Sequence, residues 1–183
     1  NIKNFSVITS HVRVPPAMEA ILGSKSNRVQ AFLAAGHVCA VMGFHEYPPI
    51  AEKYRVPIVV TGFEPIDLLN GMVSAIKQLE AGESAADNQY QRAVKFGGNE
   101  SAQNTIRSVF QSVDRKWRGI GVIPQSGWNV RPEFADFDAE KKFDVGDILT
   151  QESPLCIAGE ILQGLKKPTG CPAFGKECTP QTP

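Results

Sequence analysis

Cysteine is the residue type whose placement speaks first. Cys156, Cys171 and Cys178 fall within the last 28 residues of a 183-residue chain. Cys171-Pro-Ala-Phe-Gly-Lys-Glu-Cys178 places two thiols with six residues between them in a Pro/Gly-rich stretch, and Cys156 lies fifteen positions upstream of Cys171. Thiolates so placed can turn toward one soft metal or an iron–sulfur cluster. The spacing matches neither a Cys-x-x-Cys zinc knuckle nor a common ferredoxin pattern. A metal or cluster, a disulfide and unlinked thiols therefore all stay open. A complete metal site needs four ligands, and this tail offers at most three cysteines. Cys39 stands alone in the apolar run His37-Val-Cys-Ala-Val-Met42 and reads as a small buried hydrophobe.

Other side chains are candidates by position. His37 follows Gly36 at a turn, where histidine either packs through a hydrogen bond or serves a site. Glu64 and Asp67, in Thr61-Gly-Phe-Glu-Pro-Ile-Asp67, stand where a helix begins. There the macrodipole and free backbone N–H groups favour carboxylates, so capping and ligand contact are equal readings. Ser126 beside Gly127 is a further rim candidate, Arg118 reads as an ion-pairing residue, His11 as a cap or rim group, and His45 as solvated. No Walker-type phosphate loop, Gly-x-Gly-x-x-Gly, Gly-x-Ser-x-Gly elbow or His-Glu-x-x-His helix is present.

The elements that must position these groups alternate strand and helix. Phe5 to Thr9, Ala31 to Leu33, Val38 to Met42, Val56 to Val60 and Gly119 to Ile123 read as extended, the last closed by Pro124-Gln-Ser-Gly127. Pro15-Pro16 opens a short helix through Met18, Ile21 and Leu22. Pro65 opens the clearest helix, in which Ile66, Leu69, Met72, Val73, Ile76 and Leu79 recur at helical spacing and predict one buried stripe. A second amphipathic helix runs from an Asn99 cap through Ala102, Ile106, Val109 and Phe110. The expected fold is α/β, a parallel sheet with helices on both faces, followed by a mostly irregular cysteine-bearing C-terminal segment. Ligands of such sheets sit outside the carboxyl ends of the strands, which picks out Gly36-His37, Thr61–Asp67 and Ser126-Gly127. The predicted divisions are an α/β domain over 1–130, a charged connector over 131–152 and a tail over 153–183. In the connector, Asp136, Asp138, Glu140, Lys141, Lys142 and Asp144 read as solvated surface.

Composition narrows the functional classes. Nineteen basic and nineteen acidic side chains balance, which removes any bulk electrostatic case for a nucleic-acid or anionic-membrane partner. No apolar run approaches the roughly 20 residues of a membrane span. The opening Asn-Ile-Lys-Asn-Phe-Ser-Val lacks the features of a signal peptide, so a cytoplasmic setting is the expectation.

Read in order, longer motifs resemble one family. They are Asn4-Phe-Ser-Val7 with Ser10-His-Val12 and Pro15-Pro-Ala-Met18, then Gly36-His-Val38, then Pro57-Ile-Val-Val-Thr-Gly-Phe-Glu-Pro-Ile-Asp-Leu-Leu69. Tyr90-x-Arg92-x-Val94 with Gly98-Asn99, Trp117-Arg-Gly-Ile-Gly-Val-Ile-Pro-x-Ser-Gly127 and Phe137-Asp-Ala139 continue the match. Gly159-Glu-Ile-Leu-x-Gly164 and Cys171-Pro-Ala-Phe-Gly-Lys-x-Cys178-Thr-Pro180 complete it. The order resembles the C-terminal half of the HypD family of NiFe-hydrogenase maturation proteins. Cys39 stands where that family usually has serine, and Ala158 where it often has a second cysteine. The family's N-terminal half, with its iron-holding cysteine motif, has no counterpart in this sequence.

The resemblance implies a redox-active assembly scaffold more than a free-standing enzyme. On it an iron bearing two cyanides and one carbon monoxide is put together with a HypC-like small chaperone and a HypE-like cyanide donor. It also implies that Cys171 and Cys178 are two of four ligands of a 4Fe–4S cluster, and that His37, Glu64 and Asp67 face a cleft. A small-molecule enzyme using the rim of Gly36-His37, Glu64, Asp67 and Ser126 is the rival reading, and a bare protein-interaction module is the third.

Overall fold

The computed structural model describes residues 3–143, 145, 148 and 151–182. The chain divides into two compact units, one of Asn1–Arg28 with Val109–Pro183 and one of Val29–Ser108. The first unit opens with helix α1 (Val14–Leu22), which has proline in its first turn and buries Ala17, Met18, Ile21 and Leu22, as the spacing predicts.

The second unit is a three-stranded parallel sheet flanked by helices. Strand β1 (Phe32–Ala35) leads into helix α2 (Gly36–Met42), then helix α3 (Tyr47–Tyr54), strand β2 (Ile58–Thr61), helix α4 (Pro65–Ala81), strand β3 (Ala86–Asn88) and helix α5 (Glu100–Val109). The order is β1-β2-β3, with Phe32 beside Ile58 and Ile58 beside Ala86. β2 is central, so it is covered on both faces and all four of its residues are buried. That is why Val-Pro-Ile-Val-Val is a continuous apolar run instead of an alternating one. The predicted Asn99 cap is present, its Oδ1 accepting from the Ala102 N–H at 3.1 Å. Phe110 lies beyond that helix, in the next strand.

Two expectations for this unit are overturned. Val38 to Met42, read as extended, is the body of α2. A short buried apolar run has no period to separate strand from helix, and Gly36 starts the turn without strand-like alternation to betray it. The larger correction concerns α4, whose span is as predicted but whose orientation is not. It docks through Asp67, Gly71 and Ala75, the residues it buries. A Cβ on Gly71 would already press the Thr61 side chain at 3.1 Å, so only small residues let the helix approach the sheet this closely. The predicted stripe of Ile66, Leu69, Met72, Val73, Ile76 and Leu79 is left on the other side, between 41% and 67% exposed.

In the first unit, strand β4 (Phe110–Trp117) pairs antiparallel with strand β5 (Gly121–Val130), with a register irregularity between Val113 and Arg115. The predicted stop at Pro124-Gln-Ser-Gly127 is therefore wrong, because β5 runs through those residues. Gln125 takes a φ of 52°, which lets the irregular ladder absorb the proline. Nor is Phe5 to Thr9 a strand. It contributes a single bridge, Val7 beside Asp138, with the Val7 N–H donating to Phe137 O at 2.8 Å. Asp138 is buried and not solvated, and its carboxylate accepts from the Glu140 N–H to cap helix α6 (Ala139–Lys142). Asp136, Glu140, Lys141 and Lys142 are exposed as expected, and Asp144 lies outside the described residues. Past helix α7 (Ala158–Leu162) the C-terminal stretch is mostly irregular. Among the described residues, no helix is long and apolar enough to cross a membrane.

The reversed α4 makes a direct prediction. Ile58 is fully buried, so Ile58→Ala should cost about 2–5 kcal/mol in urea unfolding. Ile76 is half-exposed, so Ile76→Ser should change stability by no more than about 0.5 kcal/mol. Equal losses for the two variants would place the stripe in a core after all.

Candidate functional site

The parallel sheet ends in a set of loops at its carboxyl edge, and the sequence places candidates there. His37 lies in the first turn of α2, directly after β1, and is exposed. Phe63 follows β2, and its ring stands 4.9 Å from the His37 ring, centroid to centroid. Glu64 holds the N-cap position of α4, but its side chain makes no capping bond and is exposed. Of the two carboxylates, Asp67 is the buried one, 2% exposed.

Asp67 is held from three sides. Arg92 grips it with both ends of its guanidinium, Nη1 donating to Oδ1 at 2.7 Å and Nη2 to Oδ2 at 2.6 Å. The backbone of Glu64 adds a further bond, the return half of a capping box. Thr61 Oγ1 donates to the Asp67 carbonyl at 2.7 Å. The Arg92 hydrogen bonds, opposed by burial and aided by Arg92's charge, hold the Asp67 carboxyl below its ordinary range. The same bonds hold the Arg92 guanidinium above its own. The guanidinium also lies over the Tyr90 ring, 4.5 Å from its centroid. Two glycines make room for this arrangement. A Cβ on Gly36 would strike Thr61 O and the Tyr90 ring, and one on Gly62 would strike the Asp67 carboxylate. Asp67 is thus an anchor that fixes the loops carrying His37, Phe63 and Glu64.

Arg92 and Tyr90 carry this anchor, yet spacing does not single them out. They sit 25 and 23 positions from Asp67, and only the Tyr90-x-Arg92 motif marked them. Ser126, expected on the same rim, belongs to the other unit. It is fully buried in β5, accepting from Trp117 Nε1 at 2.8 Å and donating to Ile123 O at 2.8 Å. His11, also in that unit, rests near the Phe110 ring, while His45 is exposed beside Phe96.

The unit formed by Asn1–Arg28 and Val109–Pro183 holds a second locus, a cavity of about 620 Å³. Cys156, Cys171 and Cys178 line it, together with Arg115, Lys116 and Arg118. All of these cysteines are free. Cys171 Sγ donates to Leu155 O at 3.7 Å. The Cys178 N–H donates to Ala173 O and the Gly175 N–H to Cys178 O, so backbone bonds close the loop between the two thiols. Arg115 Nη2 donates to Trp128 O at 2.7 Å, while its Nε is buried without a partner. Lys116 reaches Glu152 at 3.5 Å. Arg118, read as an ion-pairing residue, is exposed and makes no ion pair among the described residues. Cys39, by contrast, is fully buried in the other unit, where burial pushes its thiol up, partly offset by the Tyr47 hydroxyl.

Among the described residues, no group of three or more His, Cys, Asp or Glu could share one metal ion. A polynuclear cluster makes a different demand, since each thiolate binds its own iron and the sulfurs stand apart around the inorganic core. Thiols spread round one cavity, with cationic side chains to offset the negative charge of a thiolate-bound cluster, fit that demand in part. Four thiolates are not gathered among the described residues.

The whole chain, residues 1–183, matches the family described as HypD: Hydrogenase formation hypA family. It is 41% identical over 183 residues to the hydrogenase maturation factor HypD of Escherichia coli K12, covering 100% of this chain and 49% of that protein. It is 37% identical over 189 residues to hydrogenase maturation factor HypD2 of Bradyrhizobium diazoefficiens, covering 100% and 50%. The HypD factor of Rhizobium leguminosarum bv. viciae is 38% identical over 187 residues, covering 98% and 49%. The chain spans about half the length of the curated relatives it matches.

The Asp67–Arg92 pair predicts a pH signature. Because the folded carboxyl titrates below its ordinary value of 3.8, the stability it contributes is fully present above that value. It is lost as pH falls through the lower folded value. Asp67→Asn should therefore be less stable than the parent at neutral pH, and the gap should close under acid. A gap of constant size down to about pH 2 would mean that ionisation of Asp67 is not its source.

Proposed function

This chain belongs to the HypD family, and we propose that it is the part of a maturation scaffold that pairs a thiol-lined cluster site with a strand-end rim. The rim would present His37 and Glu64 on loops pinned by Asp67 and Arg92, facing the iron cargo with its two cyanides and one carbon monoxide. Cys171 and Cys178 would supply two of the four thiolates of a 4Fe–4S cluster, the rest of the set lying outside this chain. When bound, that cluster supplies electrons to the assembly. The chain's own contribution is to hold two thiols at one wall, keep Arg115, Lys116 and Arg118 beside them, and leave Cys178 open to solvent. The setting proposed is the cytoplasm, and the work is assembly, not turnover of a free substrate.

The observation that carries this reading is the gathering of Cys156, Cys171 and Cys178 round one cavity under cationic side chains. A second observation favours docking of protein partners. The uncovered stripe of α4, from Ile66 to Leu79, is a contiguous apolar surface of the kind that marks an interaction site. HypC-like and HypE-like proteins are the proposed occupants of such surfaces. The rival small-molecule enzyme finds less support, because Ser126 is enclosed in a β-ribbon and Asp67 is neutralised by Arg92.

The test exchanges this chain for the matching half of the Escherichia coli relative. The hybrid is expected to mature hydrogenase in cells lacking their own HypD, and to carry iron and sulfide with broad visible absorbance. Cys178→Ser in the hybrid should remove the absorbance and most of the iron. Unchanged iron and sulfide in that variant would refute the cluster assignment. The chain supplied alone is expected to restore nothing.

A further inference from the structure

Helix α7 stands between Cys156 and Cys171, and little apolar burial holds it. Of its five residues only Gly159 is buried. A helix this short does not persist without tertiary contacts. Those it has are polar or sterically tight, and they converge on Gln163, the residue that ends it. Gln163 Oε1 accepts from Ser24 Oγ at 2.6 Å and from Ser26 Oγ at 3.0 Å. Its carbonyl accepts from the Arg28 N–H at 2.8 Å, and its Nε2 donates back to Gly159 O at 3.0 Å. The loop after α1 and both ends of α7 are thereby tied through one side chain.

Gly159 carries the contact onward. A Cβ there would overlap the Gly119 carbonyl oxygen, and one on Gly119 would strike Gly159 N, so the two backbones touch in the turn between β4 and β5. The Gly119 N–H donates to Glu152 Oε2 at 3.2 Å, and Glu152 Oε1 stands 3.5 Å from Lys116 Nζ. Glu152 leads directly into the turn before Cys156. There the Leu155 N–H donates to Ser153 Oγ at 3.3 Å and the Cys156 N–H to Ser153 O at 2.9 Å. The carbonyl of Leu155 in that turn accepts from Cys171 Sγ at 3.7 Å. A continuous path therefore runs from Ser24 and Ser26 to two of the thiols that line the cavity. Gln163 fills the open position of Gly159-Glu-Ile-Leu-x-Gly164, so the motif itself gives it no role.

We propose that Gln163 is a positioning residue, which holds the Cys156 turn and Cys171 in place before any metal arrives. It acts through Gly159, Gly119 and Glu152 and is not itself a ligand. A tail set in advance gives up less conformational entropy when iron binds, which strengthens binding without adding a donor. What the thiols are held for rests on the cluster function proposed above; that they are held does not.

The test begins with the purified chain free of iron, followed by amide hydrogen exchange. Gln163→Leu keeps the bulk and removes both polar ends of the side chain. Exchange in the peptides around Cys156 and Cys171 should rise roughly tenfold, as expected for the loss of one or two hydrogen bonds, while β4 and β5 keep their protection. Ser24→Ala with Ser26→Ala should give a smaller rise in the same peptides, and joining these changes to Gln163→Leu should add nothing, because all act through one contact. Unchanged exchange at the cysteine peptides in Gln163→Leu would overturn the proposal. So would an equal rise across β4 and β5, the mark of general destabilisation, or fully additive serine and Gln163 effects. In the Escherichia coli hybrid, Gln163→Leu should keep the shape of the visible spectrum yet lose iron to a chelator several-fold faster; equal rates would also overturn it. A hybrid that holds no iron at all counts against the cluster function, and the metal-free exchange then decides the positioning role by itself.

Discussion

The second unit depends on one buried ion pair. A carboxylate that is 2% exposed cannot stay ionised without a partner, because removal from water disfavours the charged form. Arg92 supplies that partner while keeping half of its own side chain in solvent, so only one of the two charges is fully desolvated. This asymmetry matters, since burying both members of a pair often costs more than their attraction returns. It also commits the neighbourhood. With Asp67 at the third position of α4, the pair ties that helix to the segment after β3, and the Tyr90 ring fills the space beside Gly36 and Gly62. The loops after β1 and β2 inherit their positions from it.

The same docking explains the surface of α4. Two helix faces compete for the sheet: one of large apolar residues, one of Asp67, Gly71 and Ala75. Hydrophobic transfer alone, at about 25 cal/mol per Å², favours burying the first. The second wins because the Asp67–Arg92 pair and the Thr61 bond to the Asp67 carbonyl fix the helix phase, and the close approach at Gly71 then admits no bulk. A periodic stripe in a sequence therefore identifies a helix without saying what covers it.

That is the pattern of what was legible. The parallel sheet, the extents of α1 and α4, the Asn99 cap and the burial of Cys39 all follow from local chemistry that a sequence carries on its face. What was not legible depends on partners remote in the chain. Asp138 sits in a run of charged residues, and only its pairing with Val7 shows that it is enclosed. Pro124 looks like a strand stop until the positive φ of Gln125 lets β5 continue. Of the candidate site, the crowding of cysteines was visible, and so was the placement of His37 and Glu64 at strand ends. The role of Arg92 was not, because nothing in a lone Arg announces a carboxylate 25 positions earlier.

The two loci also differ in the chemistry they offer. At the sheet edge the exposed groups are an imidazole and a carboxylate, nitrogen and oxygen donors that suit borderline and hard partners or proton exchange. In the other unit the donors are sulfurs, which prefer soft iron and copper and which alone here can change oxidation state. Cys39 shows what separates a working thiol from a packing one. Buried in an apolar run against Tyr47, it is held as a neutral thiol, whereas Cys156, Cys171 and Cys178 open onto a cavity that cations share. Thiol identity is the same in all of these residues; access to solvent and to each other is what makes a group of sulfurs available for metal and electron chemistry.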